Sequence, residues 1–243
     1  MKFLTFLFLI MSVQQTPFKK SQLQHTRVKS AYAEKETDVK KYFSDRNISF
    51  TGFYLFIRAF KKEKKLEVWV REKEKDTYAL LHTYDFCSTS GSLGPKRKEG
   101  DLQIPEGVYH INHFNPVSNF YLSLGINYPN ASDKILSDSK RPGSAIYIHG
   151  NCVTIGCIPI TDDKIKELYV LAVEATNNGQ QKIPVHIFPA KLNGAELSSL
   201  KKEFNATPSL IKFWENLEPI YQDFEKTKKL RSVKTTAQGT YSF

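Results

Sequence analysis

Ile148-His149-Gly150-Asn151-Cys152-Val153-Thr154-Ile155-Gly156-Cys157-Ile158-Pro159 is the stretch on which the reading of this chain turns. It opens at the end of a compact apolar run, residues 145–149, whose length and β-branched content read as a buried strand. It closes just before Thr161-Asp162-Asp163, a helix N-cap signal after which Ile165, Leu168, Leu171 and Ala172 recur at helical spacing. A His at a strand end and a Cys ahead of a helix, with Gly between them, can bring imidazole and thiol within hydrogen-bond reach. Such a pair makes thiolate at neutral pH by handing the proton to imidazole. Gly156 has no Cβ, so the backbone can turn sharply and aim the amides of Gly156 and Cys157 at a developing oxyanion. The helix start near Thr161 adds a positive dipole end that favours thiolate.

The chain has three cysteines, Cys87, Cys152 and Cys157, so at least one is free or pairs with another chain. Read from the residues alone, Cys157 is a nucleophile, an inert core thiol, a partner of Cys152 in a disulfide, or a zinc ligand with His149, Cys152 and His110 or His113. Cys152 lies in the spacer without oriented amides around it, and its replacement by serine is expected to be tolerated.

Outward from this stretch, the chain before it has hairpin grammar. Residues 53–57, 66–70 and 78–84 are short runs rich in aromatic and β-branched residues, the first two separated by the charged turn at residues 61–65. A long turn-rich loop follows through Ser90-Gly91, Gly94-Pro95, Gly100-Asp101 and Pro105-Glu106-Gly107, then strands at 108–112 and 121–124. After the helix, residues 184–189 read as a short closing strand. Leu200, Phe204, Leu210, Phe213, Trp214, Leu217 and Ile220 mark an amphipathic helical tail. Residues 3–11 form an apolar core of signal-peptide length, too short to span a bilayer, so export is expected, with an uncleaved anchor as the alternative. The organisation expected is a signal peptide or N-terminal anchor over residues 1–15, a polar, helical lead-in over 16–47 with apolar positions too sparse for a strong core face, a catalytic domain over 48–190, and a helical C-terminal extension over 191–243. The net charge of +10 sits in short Lys/Arg runs such as Lys96-Arg97-Lys98, without the interleaved aromatics of a base-stacking surface. These runs read as solvated surface, and nucleic acid is not an expected partner.

His149-Gly150 followed by Thr154, Gly156, Cys157 and Ile158 resembles the signature of L,D-transpeptidase (YkuD-like) catalytic domains: His-Gly, a spacer, Ser or Thr, a variable residue, Gly, Cys and an aliphatic residue. Ser90-Gly91 through Pro105-Glu106-Gly107-Val108-Tyr109 is similar to that family's approach to its active site, as is Asn127-Tyr128-Pro129-Asn130 with Asp133. The short spacer and Lys212-Phe213-Trp214-Glu215-Asn216-Leu217 resemble the YafK-like branch. Ile155 stands where most members carry His or Asn, and Pro159 where they carry Arg or Asn, so acceptor specificity is not carried over.

The resemblance implies a mainly β fold, sandwich-like with short helices, and an exported enzyme of the periplasm or cell envelope. It implies Cys157 as nucleophile and His149 as base, with Gly156, Gly150, Thr154 and Asn151 supporting the site and the Gly150 region orienting His149. Tyr109, Tyr121 and Arg97 are expected in the substrate groove. The partners implied are peptidoglycan stem peptides and a wall-linked lipoprotein, with a membrane met only through an uncleaved N-terminal segment and no metal or organic cofactor. The alternatives are a hydrolytic amidase that releases lipoprotein or crosslinks and a wall-binding module without turnover.

Overall fold

The aromatic and β-branched runs beginning at Phe53 fold into an antiparallel meander: β1 (Phe53–Phe60), β2 (Lys65–Glu72) and β3 (Ala79–Asp85). The β1–β2 register runs from Phe53 opposite Glu72 to Phe60 opposite Lys65. Lys64, at φ 54°, reverses the chain between them. β4 (Gly107–Asn115), β5 (Ser123–Ile126), β6 (Tyr147–His149), β7 (Ile158–Pro159) and β8 (Pro184–Phe188) complete a curled sheet in the order β3-β2-β1-β8-β4-β5-β6-β7. The short closing strand thus lies at the centre of the sheet, parallel to β1 and antiparallel to β4. A computed structural model describes residues 18–243, and the signal expected over residues 1–15 lies outside the described residues. No described helix is long and apolar enough to cross a membrane.

Helices cover both faces of the sheet: α1 (Phe18–Gln22), α2 (Thr26–Ser44), α3 (Ala131–Leu136), α4 (Asp162–Asn177), α5 (Gly194–Glu203) and α6 (Pro208–Thr227). Because side chains alternate along a strand, β1 feeds two cores. Phe53, Leu55, Ile57 and Ala59 join α2 and α4 on one side, while Phe56 and Phe60 join the side built by α6. The mainly β class with a helical C-terminal extension is what the chain adopts, and the layers over the sheet are helical.

The lead-in differs from its sequence reading. Val28, Ala31, Val39 and Phe43 of α2 are almost fully buried and pack with α4. Few apolar residues suffice there because polar ones complete the contact: the Tyr32 hydroxyl donates to Glu174 (2.8 Å) and the Tyr42 hydroxyl to Glu167 (3.1 Å).

On the other face, Pro208 opens α6, where a missing N–H costs nothing. Its apolar stripe places Trp214, Leu217, Ile220, Tyr221 and Phe224 in the interior. Two ion pairs fasten it to the sheet side. Arg58, 2% exposed, bonds Glu67 of β2 (2.6 Å) and Glu225 of α6 (2.7 Å) among the rings of Trp69, Tyr221 and Phe224. Lys61, also buried, pairs with Glu106 (2.9 Å), whose other oxygen accepts from Trp214 Nε1 (2.8 Å). Lys61 additionally donates to the carbonyls of Gly94 and Ile104, so two separate points of the long loop are held on one ammonium. The basic runs are therefore not uniformly solvated: Lys61 and Lys96 are interior cations.

Candidate active site

The site sits at the sheet edge made by β6 and β7. β5 pairs antiparallel with β6, Ser123 opposite His149, and β6 pairs parallel with β7, Ile148 opposite Ile158 and His149 opposite Pro159. Continuing that register back by one residue sets Cys157 beside Tyr147, whose backbone N–H donates toward the sulfur. Cys157 is the residue that leads into β7, so the parallel pairing brings the segment carrying it alongside the strand that ends at His149.

His149 is 1% exposed. Its Nδ1 lies 2.5 Å from the Gly150 carbonyl oxygen. A carbonyl only accepts, so Nδ1 carries the proton and Nε2 keeps its lone pair. The ring stacks on Phe120 at 4.5 Å between centroids. Burial lowers the imidazole's pKa from 6.5, partly opposed by the Gly150 bond, so the neutral base form persists below the usual range. Gly150 itself has no room for a side chain: a Cβ would lie 2.4 Å from Asp162 Oδ1 and 2.7 Å from the Phe120 carbonyl. That same Asp162 oxygen accepts the Asn151 N–H (2.7 Å), fixing the turn out of β6.

The turn into Cys157 is held by Thr154. Its Oγ1 accepts from the amides of Gly156 (3.2 Å) and Cys157 (2.8 Å) and donates to the Cys157 carbonyl (2.8 Å). Both amides expected as oxyanion donors are thus bonded to the Thr154 hydroxyl. The thiol is partly exposed, with the Ala145 carbonyl 3.8 Å away. Burial pushes its pKa above the ordinary 9.0, while the Tyr147 amide and the positive charge of Lys96 pull it down. At α4, Thr161 holds the N-cap position at φ 74° but its side chain makes no capping bond. Asp162 and Asp163 fill the first turn of that helix, next to its positive end.

Cys152 is bonded to Cys87, leaving Cys157 as the free thiol among the described residues. A Cys152–Cys157 disulfide and a zinc site using Cys152 are thereby ruled out, and Cys152 is a tether between the site turn and the loop after β3, so its replacement is no longer expected to be innocuous.

The three expected groove residues separate. Tyr109 is 3% exposed and its hydroxyl is taken up by the Glu106 carbonyl (3.1 Å) and Asp133 (3.0 Å), so it is an interior support closed to substrate. Tyr121 lies under Arg27 and Lys166, toward α2 and α4. Arg97 stacks on Phe213, 3.4 Å from Asp133, and lines an open groove of about 490 Å³ with Leu93, Gln103, Leu210 and Phe213. Sequence reasoning missed Phe120, Asp162 and Cys87, which meet the site segment through pairings that no local spacing encodes.

The sequence model described as the L,D-transpeptidase catalytic domain, YkuD, matches residues 55–187. The chain belongs to the L,D-transpeptidase catalytic domain family. Among curated relatives, this L,D-transpeptidase domain protein is similar to the Escherichia coli K12 protein named "Putative L,D-transpeptidase YafK", with 35% identity over 192 residues, 78% of this chain and 74% of that one. Among solved structures, the helical cell shape determining protein Pgp2 of Campylobacter jejuni aligns with 18% identity and a TM-score of 0.46, over 82% of this chain and 80% of that one. L,D-transpeptidase 1 of Mycobacterium tuberculosis aligns with 15% identity and a TM-score of 0.30, over 56% and 62%.

Proposed function

We propose that this protein is a cysteine acyltransferase of the cell envelope that acts on peptidoglycan stem peptides, with Cys157 as nucleophile and His149 as general base. One observation carries the reading: the free thiol leads into the strand that pairs with the one ending at His149, an imidazole whose Nδ1 is fixed on a carbonyl and whose Nε2 is therefore basic. In the reaction, Nε2 takes the Cys157 proton as sulfur attacks the carbonyl of the L-centre of a diaminopimelate residue in the donor stem. The tetrahedral oxyanion is met by the Gly156 and Cys157 amides as the Thr154 hydroxyl releases them. Collapse breaks the peptide bond, and the imidazolium protonates the departing D-residue's amine. The thioester then passes to an amine, which forms a crosslink or attaches a lipoprotein, or to water, which releases either.

Export is supported by the Cys87–Cys152 disulfide, since such bonds persist in oxidising compartments, and by the apolar N-terminal run. Incubation with defined muropeptides, with and without a lipoprotein-linked one, read by mass spectrometry, tests the assignment. New crosslinks or exchanged D-residues are expected from transfer, and shortened or released products from hydrolysis. Binding to wall material with every muropeptide mass unchanged would reduce the protein to a binding module.

A further inference from the structure

The loop from β4 to β5, residues 116–122, carries an aromatic side chain where turn chemistry asks for none. Asn115-Pro116 and Ser118-Asn119 are turn formers. Phe120 follows them with 36% of its surface exposed. A phenyl ring at a loop tip forgoes burial unless it finds a partner. Its partner is the imidazole of His149: the ring centroids lie 4.5 Å apart and the planes within 28° of parallel.

The loop is built to hold that ring. The Asn115 side chain accepts the Val117 N–H (3.1 Å), and the Ser118 hydroxyl accepts the N–H of Phe120 (3.1 Å). Arg27 of α2 donates through Nη1 to the carbonyls of Ser118 (2.5 Å) and Tyr121 (2.7 Å), one on each side of Phe120. Tyr121 itself sits at φ 70°, a left-handed conformation that a non-glycine residue adopts at a cost. On the side of the site, the Leu122 carbonyl accepts the Gly150 N–H (3.2 Å), and the Phe120 carbonyl lies 2.7 Å from where a Gly150 Cβ would be. The loop is thus fastened to α2 on one side and to the end of β6 on the other. A single hydrogen bond from a ring nitrogen fixes where that atom points and leaves the ring free to tip about it. A second ring lying flat against the first removes the tipping.

We propose that Phe120 is a positioning residue for His149: its ring fixes the plane of the imidazole, so that Nδ1 stays on the Gly150 carbonyl and the Nε2 lone pair stays where it can serve Cys157. This rests on the reading of His149 as the general base, and it assigns to the β4–β5 loop the part that the Gly150 bond cannot play alone.

Nitrogen NMR of the histidine side chains at about pH 8, where imidazole is neutral, reads which ring nitrogen carries the proton and needs no turnover. His149→Ala identifies the signal among the six histidines. The wild-type protein is expected to show the Nδ1–H form of His149 alone. Phe120→Leu keeps apolar bulk but has no flat face, and it is expected to bring in the Nε2–H form as a second population. On defined muropeptides it is expected to lower kcat by about tenfold with KM little changed, as loss of orientation does. Phe120→Tyr keeps the face and is expected to match the wild type in both measurements. A folded Phe120→Leu protein with the Nδ1–H form alone overturns the proposal. So does loss of that form in Phe120→Tyr, which would put the effect in loop packing, and so does a fall in turnover carried by KM, which would make Phe120 a substrate contact. If Phe120→Leu does not fold, the unbranched Phe120→Met is read in the same way. Turnover retained by Cys157→Ala would defeat the proposed function while leaving the NMR measurement unaffected, so the two failures are distinguishable.

Discussion

β1 and the β6–β7 edge are parts of one sheet built by different means. β1 runs eight residues, its interior residues are buried on both faces, and aliphatic and aromatic packing fixes it. β6 and β7 together have five residues, and what fixes them is polar and local: Gly150 against Asp162, Thr154 on two amides, the Gly150 carbonyl on His149, and a disulfide. The contrast teaches that stability and reactivity are held by separable sets of residues, so substitutions in the two regions should fail in different ways.

The largest effect on the packed side is expected from Trp214→Ala, which empties a fully buried site between α6 and the sheet and takes from Glu106 Oε2 its indole donor. A loss of about 3–5 kcal/mol is expected from denaturant melts. Activity should fall only in proportion to the unfolded fraction. At the site edge, replacing Cys87 and Cys152 together by serine removes a tether across 65 residues of sequence and is expected to cost about 2–4 kcal/mol. Here turnover measured well below the melting temperature should drop more than the unfolded fraction explains; equal losses would erase the distinction between the two regions. His149→Ala is expected to lower kcat/KM by about 10²-fold or more. In the wild-type protein, burial holds His149 below 6.5, so the acid limb of the pH–rate profile should fall below that value, with activity lost as pH drops through the imidazole's lowered pKa. An acid limb above 6.5 would mean that the imidazole is not in the environment described.

Much of β1 to β3 was legible because alternation and charged turns are local signals, and α6 announced itself through helical spacing from Leu210 to Ile220. The central position of β8 was not, because five residues carry no record of which strands they will lie between. At the site, the spacing of His149, Gly156 and Cys157 singled out the segment. Its partners escaped for the same reason as β8: Phe120, Asp162 and Cys87 reach it from other parts of the chain. Tyr109 misled because an aromatic beside a turn-rich loop looks like a groove wall, whereas its hydroxyl completes a buried bond to Asp133. Thr154 was seen as a support, but that it occupies the very amides assigned to an oxyanion is a matter of hydroxyl geometry, which sequence does not carry.

The most direct measurement is intact-mass analysis of the wild-type and Cys157→Ala proteins after exposure to a thiol-reactive carbapenem, with peptide mapping of the adduct and a melting curve for each protein. The wild-type protein is expected to gain a single acyl adduct on Cys157, and Cys157→Ala to gain none while melting as a folded protein. An adduct on the folded Cys157→Ala protein, or a wild-type adduct mapping elsewhere, would contradict the assignment of Cys157 as the nucleophile.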